Sequence, residues 1–241
     1  MNLLLLPTQV AGLRLAKDDP RAVHLKKILR VKNGDEVDLA VRNGSKGKGK
    51  ITLLSNGEID LNISWFPQHS ADYFPITLLV GISRPQTCRK ILDQATSMGV
   101  CNFSFFEADK GEPSYRQSSL WKSEEWKHRI ENGVSQAFAS YVPACHIFDN
   151  LDGALSEEKK KLSPNTGIAL DNYEAEKPLL ASSLAESRSV TLCVGPERGW
   201  SERERNLLRK SDYPLFHLGK RVLRVETAVV GALSILASSY W

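Results

Sequence analysis

VTLCVGPERGWSERERNLLRKSDYPLFHLGKRVLRVETAVVGALSILA, residues 190–237, is the stretch around which the rest of the chain arranges itself. Val190 to Val194 is an apolar, β-branched run of strand length. Gly195-Pro196 breaks it, and Gly199 permits a second bend nearby. Ser201 with Glu204 three residues on has the capping-box spacing that starts a helix. A second short strand, Leu215 to Leu218, ends at Gly219 and leads into the basic segment Lys220-Arg221-Val222-Leu223-Arg224. A closing helix carries Val229, Ala232, Leu233, Leu236 and Ala237 at i, i+3, i+4, i+7 and i+8. Glycine turns just after parallel-type strands are where open α/β sheets hold ligands; ordinary turns have the same spacing.

Upstream, strands and helices alternate, which predicts a parallel sheet. Ile76 to Ile82 is an almost continuous apolar run, as expected of a strand buried on both faces. Gln86 to Met98 is helical, with Ile91, Leu92, Ala95 and Met98 on one face and Gly99 at its end. Asn102 to Phe106 is the next strand, followed by a polar loop over 107–122. Ser123 is placed to cap a helix with Glu124 and Glu125 in its first turn. Trp126, Ile130, Val134, Ala137, Phe138 and Tyr141 stripe that helix, which Pro143 stops. Cys145 to Phe148 and Gly167 to Leu170 read as strands, and 174–187 as a weaker helix.

The N-terminal part reads as mostly β. Val37 to Val41, Ile51 to Leu54 and the alternating Ile59-Leu61-Ile63-Trp65 are strand-like. Between them, 42–50 hold four basic residues, three glycines and no acid: a flexible hairpin tip, and a cationic one able to track a phosphate backbone. Before them, His24-Leu25-Lys26-Lys27-Ile28-Leu29-Arg30 suggests a short helix, with Leu25, Ile28 and Leu29 in the core. Trp65 to Pro75 is the expected linker, which sets domains at 1–70 and 71–241.

Composition bounds the rest. The 241 residues are 41% hydrophobic and 25% charged, suited to one or two soluble domains with a real core. The leucine run after Met1 meets Pro7 at once and has no basic residues before it, unlike a signal peptide. Cys88, Cys101, Cys145 and Cys193 are too far apart for a zinc site or redox pair, so no metal is expected, and free thiols fit the cytoplasm. The net charge of +4 lies wholly in residues 1–70, which hold 11 basic against 7 acidic residues. That excess is a solvated face or the landing place of an anionic partner.

GPERGWSERE followed by LGKRVLRVETAVVGAL resembles the signature of the ribosomal small-subunit RNA methyltransferase E family, in the knotted SPOUT superfamily. That family reads G-P-E-G-G-F-[ST]-x-x-E, then L-G-x-R-I-L-R-x-E-T-A-x-x-x-A-L. The segment from His24 to Asp35 is similar to the family's H-L-x-x-V-L-R-x-x-x-G-D, carried on a PUA-like RNA-binding β-barrel. The resemblance implies an α/β fold, with a PUA-like β-barrel preceding a SPOUT domain that holds a trefoil knot. It implies S-adenosylmethionine as cofactor, small-subunit (16S) ribosomal RNA as partner, and methylation of uridine N3. Leu170, Gly195, Pro196, Glu197 and Gly199 would line the cofactor pocket with Leu218, Gly219, Leu223, Arg224, Thr227 and Ala228, the glycines leaving room where a Cβ would not fit. His24 and Arg30 become candidates for RNA contact, as do Lys46, Lys48, Lys50 and Arg84; His24 also reads as a packed helix residue.

Methyl transfer from an activated sulfonium needs chiefly in-line alignment. A uracil N3 nucleophile must also lose a proton, so a cation beside it and a carboxylate nearby are useful. Arg224 is the candidate cation and Glu226 the positioning or basic carboxylate; the two also read as a structural ion pair. Arg198 stands where the family has glycine, which puts the loop backbone in question. A catalytically silent RNA-binding or assembly factor of the same fold, and a knotted methyltransferase with another RNA target, are the alternative readings. Val230, Ile235 and Tyr240 lie off the stripe of the last helix and, with Ala237 at its end, add apolar surface that points to a homodimer through it.

Overall fold

The computed structural model describes residues 3–67, 72–160, 165–184 and 189–240. Residues 68–71 of the expected linker, Met1 and Asn2 ahead of the leucine run, and 185–187 of the weak helix lie outside them. Two compact units result, Met1–Asp72 with Glu131–Val142, and Tyr73–Ile130 with Pro143–Trp241.

In the first unit the chain forms β1 (Leu3–Leu6), β2 (Gly12–Leu15), α1 (Pro20–Lys27), β3 (Glu36–Val41), β4 (Lys46–Leu53) and β5 (Ile59–Trp65). The strands make one sheet in the order β1-β3-β4-β5-β2, antiparallel except for β1 beside β3. β1 and β2 are its open edges, so the expected barrel is a half-barrel closed over Leu4, Leu15, Leu25, Leu39 and Ile59. The Asp19 carboxylate caps α1 by accepting from the Arg21 N–H at 2.8 Å. The helix stops at Lys27, and Arg30 takes a left-handed φ of 52°. Leu25 is therefore buried, but Ile28 and Leu29 are 67% and 42% exposed, which corrects their assignment to the core.

The lysine-glycine segment is also corrected. Only 42–45 form the turn; Lys46, Lys48 and Lys50 lie within β4, with Gly47 and Gly49 between them. Strand alternation puts the lysines on one face and the glycines on the other. A Cβ at Gly47 would lie 2.6 Å from the Ser64 carbonyl, and one at Gly49 would lie 2.8 Å from Leu39 Cδ1. These glycines serve close packing rather than flexibility. Lys46 pairs with Asp72 at 2.6 Å and Lys48 with Asp38 at 2.7 Å, while Lys50 is exposed.

The second unit continues with β6 (Phe74–Gly81), α2 (Pro85–Ser97), β7 (Val100–Phe106), α3 (Ser119–Lys122), α4 (Glu125–Gln136), β8 (Ala144–Phe148), α5 (Leu151–Lys159), β9 (Asn165–Leu170), β10 (Lys177–Pro178), β11 (Ser189–Val194), α6 (Glu202–Lys210), β12 (Leu215–His217) and α7 (Val225–Ala237). The second half of α4 is counted with the first unit. The sheet order is β10-β12-β9-β11-β6-β7-β8, every pairing parallel. β11 thus inserts between β6 and β9, both earlier in the chain. No helix among the described residues is long and apolar enough to cross a membrane.

Three local expectations fail here. Ser123 ends α3 instead of capping α4, because Glu124 has a φ of 58° and breaks the helical path between them. α4 stops at Gln136, seven residues before Pro143; Phe138 has a φ of 54° and is exposed, while Ile130 and Val134 are buried. Residues 174–184 hold the two-residue β10 and a 3₁₀ turn, Ala181–Leu184, instead of a helix. α5, with Asn150 accepting from the Gly153 N–H at 2.8 Å, was not expected.

The capping box at α6 forms as expected. Ser201 Oγ accepts from the Glu204 N–H at 3.0 Å, and Glu204 Oε2 accepts from the Ser201 N–H at 2.9 Å. The other Glu204 oxygen accepts from the Asp109 N–H at 3.0 Å, so one fully buried carboxylate joins α6 to the loop after β7. Glu204→Ala leaves two amide donors unpaired. We expect it to destabilise the protein by about 2–4 kcal/mol in urea unfolding, against under about 0.5 kcal/mol for the exposed neighbour Glu202→Ala.

Candidate active site

β11 sits in register with both neighbours at its carboxyl end, Val194 opposite Leu170 on one side and Val80 on the other. The loops leaving β6, β9 and β11 therefore emerge side by side, where a parallel sheet opens a crevice. With the segment from Val222 to Ala228 they line a cleft of about 580 Å³.

Trp200 fixes the loop after β11. Its indole N–H donates to the Leu170 carbonyl at 2.8 Å, and its ring stacks on Phe106 with centroids 6.0 Å apart. A Cβ on Gly195 would lie 3.1 Å from that indole. The turn closes with the Gly199 N–H donating to the Pro196 carbonyl at 2.8 Å, Gly199 itself at a φ of 65°. Arg198 is exposed and outside the left-handed region, so the loop accepts arginine without backbone strain. Glu197 Oε1 accepts from the Arg84 N–H at 2.9 Å, which ties the turn to the start of α2.

The charged groups do not pair as the sequence suggests. Glu226, in the first turn of α7, bonds Lys90 of α2 at 3.0 Å, and not Arg224. Burial works against its ionisation, but its own backbone N–H, the Lys90 ammonium and the field of Arg224 prevail and hold it below the ordinary carboxylate range. Arg224 is exposed at the N-cap of α7, and no described residue pairs with its guanidinium. Arg84 is exposed on the rim, where Tyr115 and then Glu197 favour its charged form.

Of the residues expected at the cofactor, Leu170, Gly195, Pro196, Glu197, Gly199, Leu223, Arg224 and Ala228 line the cleft, and so does Glu226. Leu218, Gly219 and Thr227 do not. Leu218 is turned toward Gly231 of α7, where an added Cβ would meet it at 3.6 Å. Gly219 has a φ of 106° with open space around it, so the hand of its backbone, not crowding, calls for glycine. Thr227 is exposed. His24 is half-buried on α1, and Arg30 is exposed beyond it; both belong with Lys46, Lys48 and Lys50 to the first unit. Sequence reasoning missed Lys90, Asp171, Tyr173 and Trp200 at the cleft. Asp171 and Tyr173 follow directly on a strand end, which was a usable signal. Lys90 meets Glu226 across 136 residues, and no local pattern marks it.

The family profile of an RNA methyltransferase domain matches residues 70–237, the whole of this cleft included. The chain belongs to the RNA methyltransferase family. A profile for an RNA methyltransferase PUA domain matches residues 18–64. The chain is 26% identical to ribosomal RNA small subunit methyltransferase E of Treponema pallidum, over 92% of this chain and 84% of that one. It is also 26% identical to ribosomal RNA small subunit methyltransferase E 1 of Borreliella burgdorferi, over 99% and 98%. In fold it is similar to the Neisseria gonorrhoeae ribosomal RNA small subunit methyltransferase E crystallised with S-adenosyl methionine, with a TM-score of 0.77, 23% identity and coverage of 99% and 97%.

The Lys90–Glu226 pair gives this methyltransferase domain a pH signature. A carboxylate whose pKa is lowered by folding adds stability above its unfolded pKa and loses it as pH falls through the folded value. Lys90→Met should therefore be less stable than wild type near neutrality, with the gap closing in acid. Urea midpoints across that range check it.

Proposed function

We propose that the protein transfers a methyl group from S-adenosylmethionine to N3 of a uridine in small-subunit ribosomal RNA, in the cytoplasm. The observation that carries this reading is the composition of the cleft: an apolar floor beside two anchored carboxylates and one unpaired guanidinium. Its volume suits a ligand of the cofactor's size. Leu170, Val194, Leu223, Val225 and Ala228 offer apolar surface to a purine ring. Glu197 and Glu226 offer negative charge to a sulfonium or ammonium, and both are held by other residues. The bound cofactor supplies an activated methyl group; the chain supplies alignment and charge.

Arg224 is free to hydrogen-bond a uracil carbonyl and to stabilise negative charge as N3 loses its proton. Glu226, ionised and paired with Lys90, is a weak base at neutral pH and acts in positioning. In the same proposal, 1–70 is an RNA-holding domain and 71–241 the catalytic one. Its lysines can exchange their partners for phosphate, since exposed ion pairs contribute only about 0–1 kcal/mol. The trefoil knot belongs to the proposal too, supported by the insertion of β11 between β6 and β9.

Mass spectrometry of ribosomal RNA nucleosides from cells lacking the protein should reveal a missing N3-methyluridine, restored by the wild-type gene. Arg224→Ala should fail to restore it while binding S-adenosylmethionine normally by calorimetry. An unchanged nucleoside profile would remove the reading in favour of a silent RNA-binding factor.

We also infer a homodimer through α7. Val230 and Ile235 keep part of their apolar surface exposed in the single chain, whereas Ala237 is buried and Tyr240 stacks on Phe74 at 5.9 Å. A two-fold contact introduces each substitution twice. Ile235→Glu should convert dimers to monomers in light scattering, and a monomeric wild type would exclude the arrangement.

A further inference from the structure

Tyr173 is an exposed aromatic with an elaborate support. The residue is 76% exposed, yet it lines the cleft three residues beyond the end of β9. Asp171, buried beside it, accepts from the N–H groups of Tyr173 and Glu174 and so bends the loop into place. The second Asp171 oxygen takes the Arg205 Nε–H at 2.6 Å. Arg205, itself nearly buried, sets its guanidinium carbon 5.6 Å from the centre of the Tyr173 ring. Gly199 adjoins the same ring: a Cβ there would stand 3.6 Å from Tyr173 Cε2. The ring is thus fixed from behind by a buried ion pair, while most of its surface faces outward.

Aromatic surface left in water does not help a single chain fold, and here two rigid polar groups are committed to holding it. Such a surface suits a planar partner, because aromatic faces take nucleobases by stacking whatever the base. Val222, on the loop before α7, is 80% exposed and lines the same cleft. The cleft therefore has an apolar floor of Leu170, Val194 and Val225, and a separate apolar rim of Tyr173 and Val222.

We propose that Tyr173 is the stacking platform for a base of the RNA substrate at the mouth of the cleft, the floor being left to the cofactor's adenine. This deepens the methyl-transfer reading and rests on it. A base turned out of its strand loses its stacking neighbours, and a preset ring replaces one of them at no cost in ordering. The platform positions the base; Arg224 remains the group at the reacting atoms.

The test uses the full chain, S-adenosylmethionine, and small subunits from cells lacking the methyl mark. Tyr173→Ala should lower kcat/KM for RNA roughly tenfold or more, and leave the affinity for S-adenosylmethionine, measured by calorimetry without RNA, as in wild type. Tyr173→Phe and Tyr173→Trp should restore most of the rate, which a purely structural hydroxyl would not allow. A Tyr173→Ala enzyme of wild-type kcat/KM would overturn the proposal. Parallel loss of cofactor affinity would do so as well, since the ring would then sit on the cofactor's adenine. If the wild type methylates no ribosomal RNA, the methyl-transfer reading fails by itself. The platform is then judged by fluorescence of Tyr173→Trp, corrected with Tyr173→Phe: a single-stranded oligouridine should quench the added indole, and absence of quenching would refute it.

Discussion

The hydrogen bond from the Trp200 indole to the Leu170 carbonyl holds the cleft in shape. It joins the loop after β11 to the last residue of β9, the two segments that must meet for the site to exist. A buried amide-type bond contributes about 1 kcal/mol net, but an orphaned carbonyl and an emptied indole cavity would cost several times that. The stack on Phe106 and the bare Cα of Gly195 are the conditions under which so large a ring reaches that carbonyl. From this clamp follow the contact of Glu197 with the start of α2 and the place of Gly199 beside Tyr173.

What could be read in advance was local chemistry with a fixed period or spacing. Ser201 and Glu204 form their capping box, β6 and β11 are buried strands, and the stripe of α7 from Val229 to Ala237 is buried. What escaped was set by partners distant in sequence. Gly47 and Gly49 looked flexible because Ser64, Trp65 and Leu39, the atoms that crowd them, lie elsewhere in the chain. Likewise Glu226 sits two residues from Arg224, but the pair that forms depends on where α2 delivers Lys90. Helix ends failed at Glu124 and Phe138, two non-glycine residues in left-handed conformations that no residue preference announces.

The site and its supports divide by element. The family-like residues that line the cleft sit on loops and on the first turn of α7, whereas Asp171, Glu204 and Arg205, which hold the loops after β9 and β7, are buried and mostly on α6. α6 contacts the loops after β7 and β9 through Glu204 and Arg205 respectively. A single helix thus braces one wall of the crevice, the loop after β9, and the loop after β7 outside it, without offering a group to the reaction.

The position of β11 also governs how the molecule can come to be made. Its hydrogen-bonding partners β6 and β9 begin at residues 74 and 165, yet the strand that joins them starts at 189. During synthesis β6, β7 and β8 can pair first, but β9 stays alone, because both its neighbours, β11 and β12, follow it in the chain. Closure waits for β11, through contacts of the long sequence separation that makes folding slow. The nascent protein therefore owns no cofactor cleft until β11 has been made, and a chain cut short before it carries an open β6 edge and an unpaired β9 in place of an enzyme.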